Sequence, residues 1–147
     1  MENSSLYWEK LLDLAQHATT CGEIPVSALL VHKNHIVATA YNLVETHNDP
    51  TQHAEMLVLK HAFKQLGKYL NQCDLYVSLE PCPMCSHAIK LSQVRRLYFG
   101  AYDPKGGGVE HGPRLLKNLD RIQVYGGFHE SEFNQLLSTF FQNIRKI

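Results

Sequence analysis

The sequence predicts an α/β layer structure, a partly parallel sheet covered by helices. Two observations carry that reading: apolar periodicity switches between helical and strand spacing along the chain, and the second half runs strand, helix, strand in short order. With 147 residues, 44% hydrophobic and 19% charged, the chain is expected to form one globular domain spanning residues 1–147.

Residues 4–20 place Leu6, Leu11, Leu14, Ala15 and Ala18 near helical spacing, and Gly22 ends that helix. Ile24 to Val31 and Ile36 to Tyr41 read as strands joined by His32-Lys33-Asn34-His35 in a hairpin. Asp49-Pro50-Thr51 starts a helix that runs to about Leu66, where Gly67 closes it. Leu75 to Leu79 is a short apolar strand broken by Pro81. A helix from Cys82 to Leu91 and a strand from Val94 to Phe99 follow. The glycine-rich stretch Asp103 to Gly112 reads as a loop, Arg121 to Tyr125 as a strand, and Ser131 to Ile144 as a final amphipathic helix.

Composition narrows the function. No apolar run approaches the roughly 20 residues that span a bilayer. The opening Met1-Glu2-Asn3-Ser4-Ser5 lacks the blocks of a secretory signal, so a cytoplasmic location is expected. A formal net charge of zero argues against nonspecific coating of nucleic acid, while leaving room for a local basic face. Four cysteines are too few for a disulfide scaffold. Cys21 and Cys73 are expected to be buried structural thiols. Cys82 and Cys85 are spaced for metal.

His53-Ala54-Glu55 falls at the start of one helix and Pro81-Cys82-Pro83-Met84-Cys85 at the start of another. One imidazole and two thiolates make three protein ligands and leave a fourth position for water, the pattern of a catalytic zinc. His53 and Glu55, two residues apart, would point about 200° apart in mid-helix. They can serve one site only if it lies off the helix end, which the Pro50-Thr51 start provides. Glu55 then stands beside the metal as a general acid/base rather than a ligand. A redox Cys-x-x-Cys pair is the bland alternative, but it gives His53 and Glu55 nothing to do. A structural zinc needs a fourth residue ligand, and His87, two positions past Cys85 on one helix, turns away.

At these residues the sequence resembles the cytidine deaminase-like superfamily, whose signature is a histidine-x-glutamate followed by proline-cysteine-x-x-cysteine. Glu23-Ile24-Pro25-Val26, Asn42, Asp49-Pro50-Thr51, Leu79-Glu80-Pro81-Cys82, Phe99-Gly100-Ala101 and Asp103-Pro104-Lys105 are similar to the bacterial tRNA adenosine deaminases, over roughly residues 5 to 145. That resemblance implies a three-layer α/β/α sandwich around a five-stranded mixed sheet. It also implies one zinc ion per subunit, a homodimer, and the anticodon stem-loop of tRNA as partner. The activity implied is conversion of wobble adenosine to inosine with release of ammonia. Asn42, the Ala54 amide, Asp103 and Lys105 are the substrate contacts it carries over. Arg95, Arg96, Arg114, Lys117, Arg121, Arg145 and Lys146 join Lys105 as candidate phosphate contacts, and Tyr102 as a stacking surface. Phe140 and Phe141 are expected to pack the last helix. A purine-base deaminase acting on guanine and a cytidine or deoxycytidylate deaminase share the same metal site and remain alternatives. Two features differ from many family members: Ser27 stands where glycine is common, and Gly106 to Gly112, a variant within the same subfamily, follows Lys105 where many carry Thr-Gly-Ala-Ala-Gly.

Overall fold

The computed structural model describes residues 4–145. The chain runs α1 (Ser4–Thr20), β1 (Ser27–His32), β2 (His35–Tyr41), α2 (Val44–His47), α3 (Ala54–Leu66), β3 (Cys73–Leu79), α4 (Pro83–Ser92), β4 (Arg96–Ala101), β5 (Gln123–Tyr125) and α5 (Glu130–Arg145). The five strands form one sheet in the order β2-β1-β3-β4-β5. β1 is antiparallel to β2 and β3, whereas β3, β4 and β5 are parallel. This is the mixed five-stranded sheet expected.

Local chemistry explains the connections. The β1–β2 hairpin turns on Lys33 and Asn34, both at positive φ, the mirror-image turn whose twist matches flanking strands. β1 is buried on both sides, so it reads as an uninterrupted run, Ser27 to Val31, rather than an alternation. Its Leu29 and Val31 meet Tyr7, Trp8 and Leu11 of α1 and Phe133 of α5. Its Ala28 and Leu30 meet Val58, Leu59 and Ala62 of α3 and Ile89 of α4. The sheet is therefore sandwiched between α1 with α5 and α3 with α4. Ser27, the departure from glycine, donates its hydroxyl to the Leu11 carbonyl at 2.6 Å and ties α1 to β1. Gly100 admits α5 onto β4, because a Cβ there would lie 2.5 Å from both the Phe133 ring and the Ser78 carbonyl.

Several expectations are corrected. Leu6 is 59% exposed and Leu14 half-buried, because Tyr7 and Trp8 take the inward face of α1. β1 starts at Ser27 rather than Ile24, since the Val26 amide folds back to the Ile24 carbonyl in a tight turn. The one-turn helix α2 was not expected. β4 runs two residues later than expected, to Ala101, and β5 is only three residues long. Cys73 is buried as expected but Cys21 is exposed, in the turn that ends α1. Phe140 is buried while Phe141 is 41% exposed. Lys146 and Met1 to Asn3 lie outside the described residues.

Candidate active site

Two helix starts meet at the C-terminal ends of the parallel strands. His53 is the N-cap of α3 and Cys82 the N-cap of α4, each in extended backbone, with Pro83 opening the second helix. Proline fits there because its missing N–H would have had no helical partner. Cys85 and Glu55 fall within the first turns of these helices and are buried. Both helix dipoles therefore present their positive ends to one point, which favours thiolate and carboxylate.

The donor atoms fit a tetrahedral metal. His53 Nδ1 lies 3.6 Å from Cys82 Sγ and 3.5 Å from Cys85 Sγ. Bond lengths of about 2.1 Å to nitrogen and 2.3 Å to sulfur, at tetrahedral angles, set an N···S separation of about 3.6 Å. All three donor atoms fall within 4.8 Å of one another. Among the described residues no fourth ligand joins them, and His87 is exposed on the outer side of α4. The four cysteines are free thiols, so the pair is not a disulfide. The Cys82 thiol is pulled down to about 4, chiefly by the hydrogen bond from Cys85 and against burial, with His53 adding to the fall. Cys85 is pushed up by that same bond and by burial. His53 is raised by its bond to Cys82, burial opposing.

Glu55 is 3% exposed, and its Oε1 has no hydrogen-bond partner. Burial raises its carboxyl to about 7. A buried oxygen left unpaired costs free energy, so such an atom in a native site signals a partner that arrives from outside. It lines a cavity of about 250 Å³ shared with His53, Cys82, Asn42 and Asp103, with Ile24, Val26 and Leu79 supplying apolar wall. The volume suits one planar base better than a drug-sized ligand. Asn42 Oδ1 accepts the Ala54 amide at 2.9 Å, which orients its side chain and leaves the amide hydrogens as the groups it can offer. The Ala54 amide is therefore engaged by Asn42 rather than free. Lys105 is exposed and does not line the cavity.

Two buried carboxylates, Glu23 and Glu80, brace the cavity walls; both lie in the family-like segments of the sequence, which assigns neither a role. Glu23 accepts the amides of Glu45 (3.1 Å) and Thr46 (2.6 Å) and the Thr46 hydroxyl (2.7 Å), so it caps α2. Glu80 does the same for the 103–111 segment. The available signal is an acid one or two residues before a proline, Glu80 before Pro81 and Glu23 before Pro25. Burial works against the Glu23 charge, but the Thr46 hydroxyl and the two amides outweigh it and hold its carboxyl below the ordinary 4.5. A group with a depressed folded-state pKa contributes stability that is fully present above its unfolded pKa and is lost as pH falls through the lower, folded value. Glu23→Gln is expected to cost about 2 kcal/mol at neutral pH. Thermal melts of both proteins should differ at pH 7 and converge as pH falls below 4.5.

The candidate phosphate contacts divide. Arg95 and Arg96 sit at the start of β4, five residues or about 17 Å from the end that carries the cavity. Arg95 is already held by Asp74 through two bonds of 3.0 and 2.8 Å. Arg121, just before parallel β5, lies at that same far end. Lys105 and Arg114 stay on the cavity side, because the Leu115 amide ties their loop back to Gly108. Tyr102 is 36% exposed, its ring edge-on to Phe99 and His111.

The model of the cytidine and deoxycytidylate deaminase zinc-binding region matches residues 1–101. A tRNA-specific adenosine deaminase of Bacillus subtilis (strain 168) is 42% identical, over 99% of this chain and 93% of its own length. A structure solved in a study of A-to-I editing by tRNA:A34 deaminases superposes with a TM-score of 0.85 at 41% identity, covering 90% of this chain and 99% of that one. A guanine deaminase from Bacillus subtilis superposes with a TM-score of 0.59 at 28% identity, covering 95% and 94%. The zinc cofactor follows from both the family and the His-Cys-Cys donor set. By matched length, identity and fold together, the chain belongs to the zinc-binding cytidine and deoxycytidylate deaminase family, among its tRNA-specific adenosine deaminases.

Proposed function

We propose that this chain is a zinc-dependent hydrolase that converts the wobble adenosine of tRNA to inosine and releases ammonia. The observation that carries the chemistry is the buried, unpartnered Glu55 carboxylate beside the His53, Cys82 and Cys85 donors. Support for the substrate comes from relatives named for tRNA that match nearly the whole chain.

In this reading His53, Cys82 and Cys85 hold the zinc. Zinc there supplies Lewis acidity, which lowers the pKa of water from about 15.7 toward 7. Glu55 takes the proton from the attacking water as its oxygen bonds to C6 of adenine. It hands that proton to the ring nitrogen, then carries the water's second proton to the departing amine. The C6–N bond breaks, ammonia leaves, and the oxygen stays on the base. Asn42 orients the purine, and Asp103 lines the cavity mouth. Lys105 and Arg114 take anticodon phosphates, and Tyr102 offers a ring to a neighbouring base. We read the active form as a cytoplasmic homodimer of one deaminase domain per chain. The location is supported by the tRNA substrate, and no helix among the described residues is long and apolar enough to cross a membrane.

The fold similarity to a guanine deaminase favours a second reading, in which the same site acts on a free purine. Incubation with anticodon stem-loop RNA, free adenosine, cytidine and guanine separates the two. Inosine should form in the stem-loop, with turnover of the free compounds at least about 100-fold slower per kcat/KM, because remote RNA contacts contribute binding that a lone base lacks. Preferential turnover of guanine would overturn the tRNA assignment.

A further inference from the structure

The segment Gly106 to Gly112 is fastened to a buried carboxylate that the chemistry does not use. Glu80 Oε2 accepts the amides of Val109 (3.3 Å), Glu110 (2.9 Å) and His111 (3.1 Å). Glu80 Oε1 accepts the Asp103 amide at 3.1 Å and lies 2.8 Å from His111 Nδ1. An ionised carboxylate only accepts, so Nδ1 carries the hydrogen. His111 is the one side chain among the described residues that donates to Glu80; its other donors are backbone.

The glycines make the contact possible. A Cβ at Gly107 would collide with the Glu80 carboxylate, and one at Gly108 would lie 2.8 Å from Pro83 N and Cα. The Gly108 amide donates to the Pro81 carbonyl at 2.8 Å. The loop is thereby laid along the Glu80–Pro83 turn, with Asp103 at its near end facing the cavity.

We propose that His111 is a positioning residue for substrate binding: by donating to the same Glu80 oxygen that receives the Asp103 amide, it sets where Asp103 stands in the cavity wall. Removing the imidazole leaves the four backbone donors to Glu80, so the loop stays attached while Oε1 loses its shorter bond. The effect falls on how substrate is held, because His111 is not among the metal donors and does not line the cavity with Glu55.

The choice of assay substrate rests on the tRNA reading. With stem-loop RNA, His111→Ala is expected to raise KM about tenfold and leave kcat within about twofold, the loss of one charge-assisted bond that acts on binding alone. Zinc content stays unchanged. His111→Asn places an amide donor where Nδ1 stood and should restore KM. His111→Gln, whose amide sits one methylene further out, should not. A lowered melting temperature with wild-type KM in His111→Ala would overturn the proposal. So would equal KM values for the Asn and Gln variants, which decides the matter even if the Ala variant does not fold. Should the wild-type protein ignore the stem-loop and turn over a free purine, the tRNA reading fails by itself. The same KM comparison on that purine then judges His111.

Discussion

Glu55→Gln is expected to bind zinc normally, fold normally, and lose at least about a thousandfold in kcat for inosine formation. General acid–base catalysis is worth roughly 10²–10⁴, and this residue is asked to move protons at two successive steps. The loss belongs near the top of that range. Its carboxyl, raised to about 7, is poised both to accept and to give a proton near neutral pH, whereas an amide of the same shape can do neither. Stability should move little or upward. Oε1 of the wild-type side chain is buried and bonds to nothing in the folded chain, so a neutral isostere removes a desolvation cost at that atom. The outcome separates a catalytic carboxylate from a structural one by sign as well as size. Inosine release would be followed with stem-loop RNA, alongside elemental analysis and a thermal melt. Turnover within tenfold of wild type would remove Glu55 from the mechanism.

The main features of the site could be read from sequence because its information is local. A two-residue offset from His53 to Glu55 would be incompatible with a shared site in mid-helix, and Asp49-Pro50-Thr51 marks a helix start close enough to resolve the conflict. The structure puts the boundary at His53, which makes His53 a cap and sends both side chains off the helix end. Strand and helix identities were legible for the same reason, since Leu75 to Leu79 and the α4 face carry their own periodicity. What failed to read depends on partners far along the chain. α2 has no apolar period, and its first amides are satisfied by Glu23, 22 residues earlier. Arg95 and Arg96 read from sequence as candidate phosphate contacts, but closeness in sequence to Cys82 and Cys85 does not place them close in space. Parallel pairing of β3 and β4 sends these arginines to the opposite end of the sheet from Cys82. That displacement leaves Lys105 and Arg114 as the basic side chains the structure keeps near the cavity rim.

Cys82→Ser should lose zinc and, with it, both activity and a share of stability that the wild-type protein yields only to a chelator. Replacing a hydrogen-bonding partner of a metal ligand typically weakens metal binding about 10–100-fold; removing a thiolate from a set of only three protein donors must exceed that. A hydroxyl at this spacing is a poor substitute, since serine is not deprotonated where Cys82 is drawn down to about 4. Zinc that binds only the folded chain adds about 4 kcal/mol of stability when present at a thousand times its dissociation constant. The wild-type melting temperature should therefore fall on chelation, and the variant's should already be low and unresponsive. Cys82 is the better probe of the pair, because it is half-buried. Cys85 is fully buried, so its replacement would mix loss of metal with the cost of burying an unpaired hydroxyl. The exposed Cys21 supplies the control, since its serine variant should retain both zinc and the chelator response. Retention of stoichiometric zinc by Cys82→Ser would mean that the metal is gripped elsewhere. Because Glu55 has no use for its unpartnered oxygen except beside the metal's donors, the acid–base assignment would fall with it.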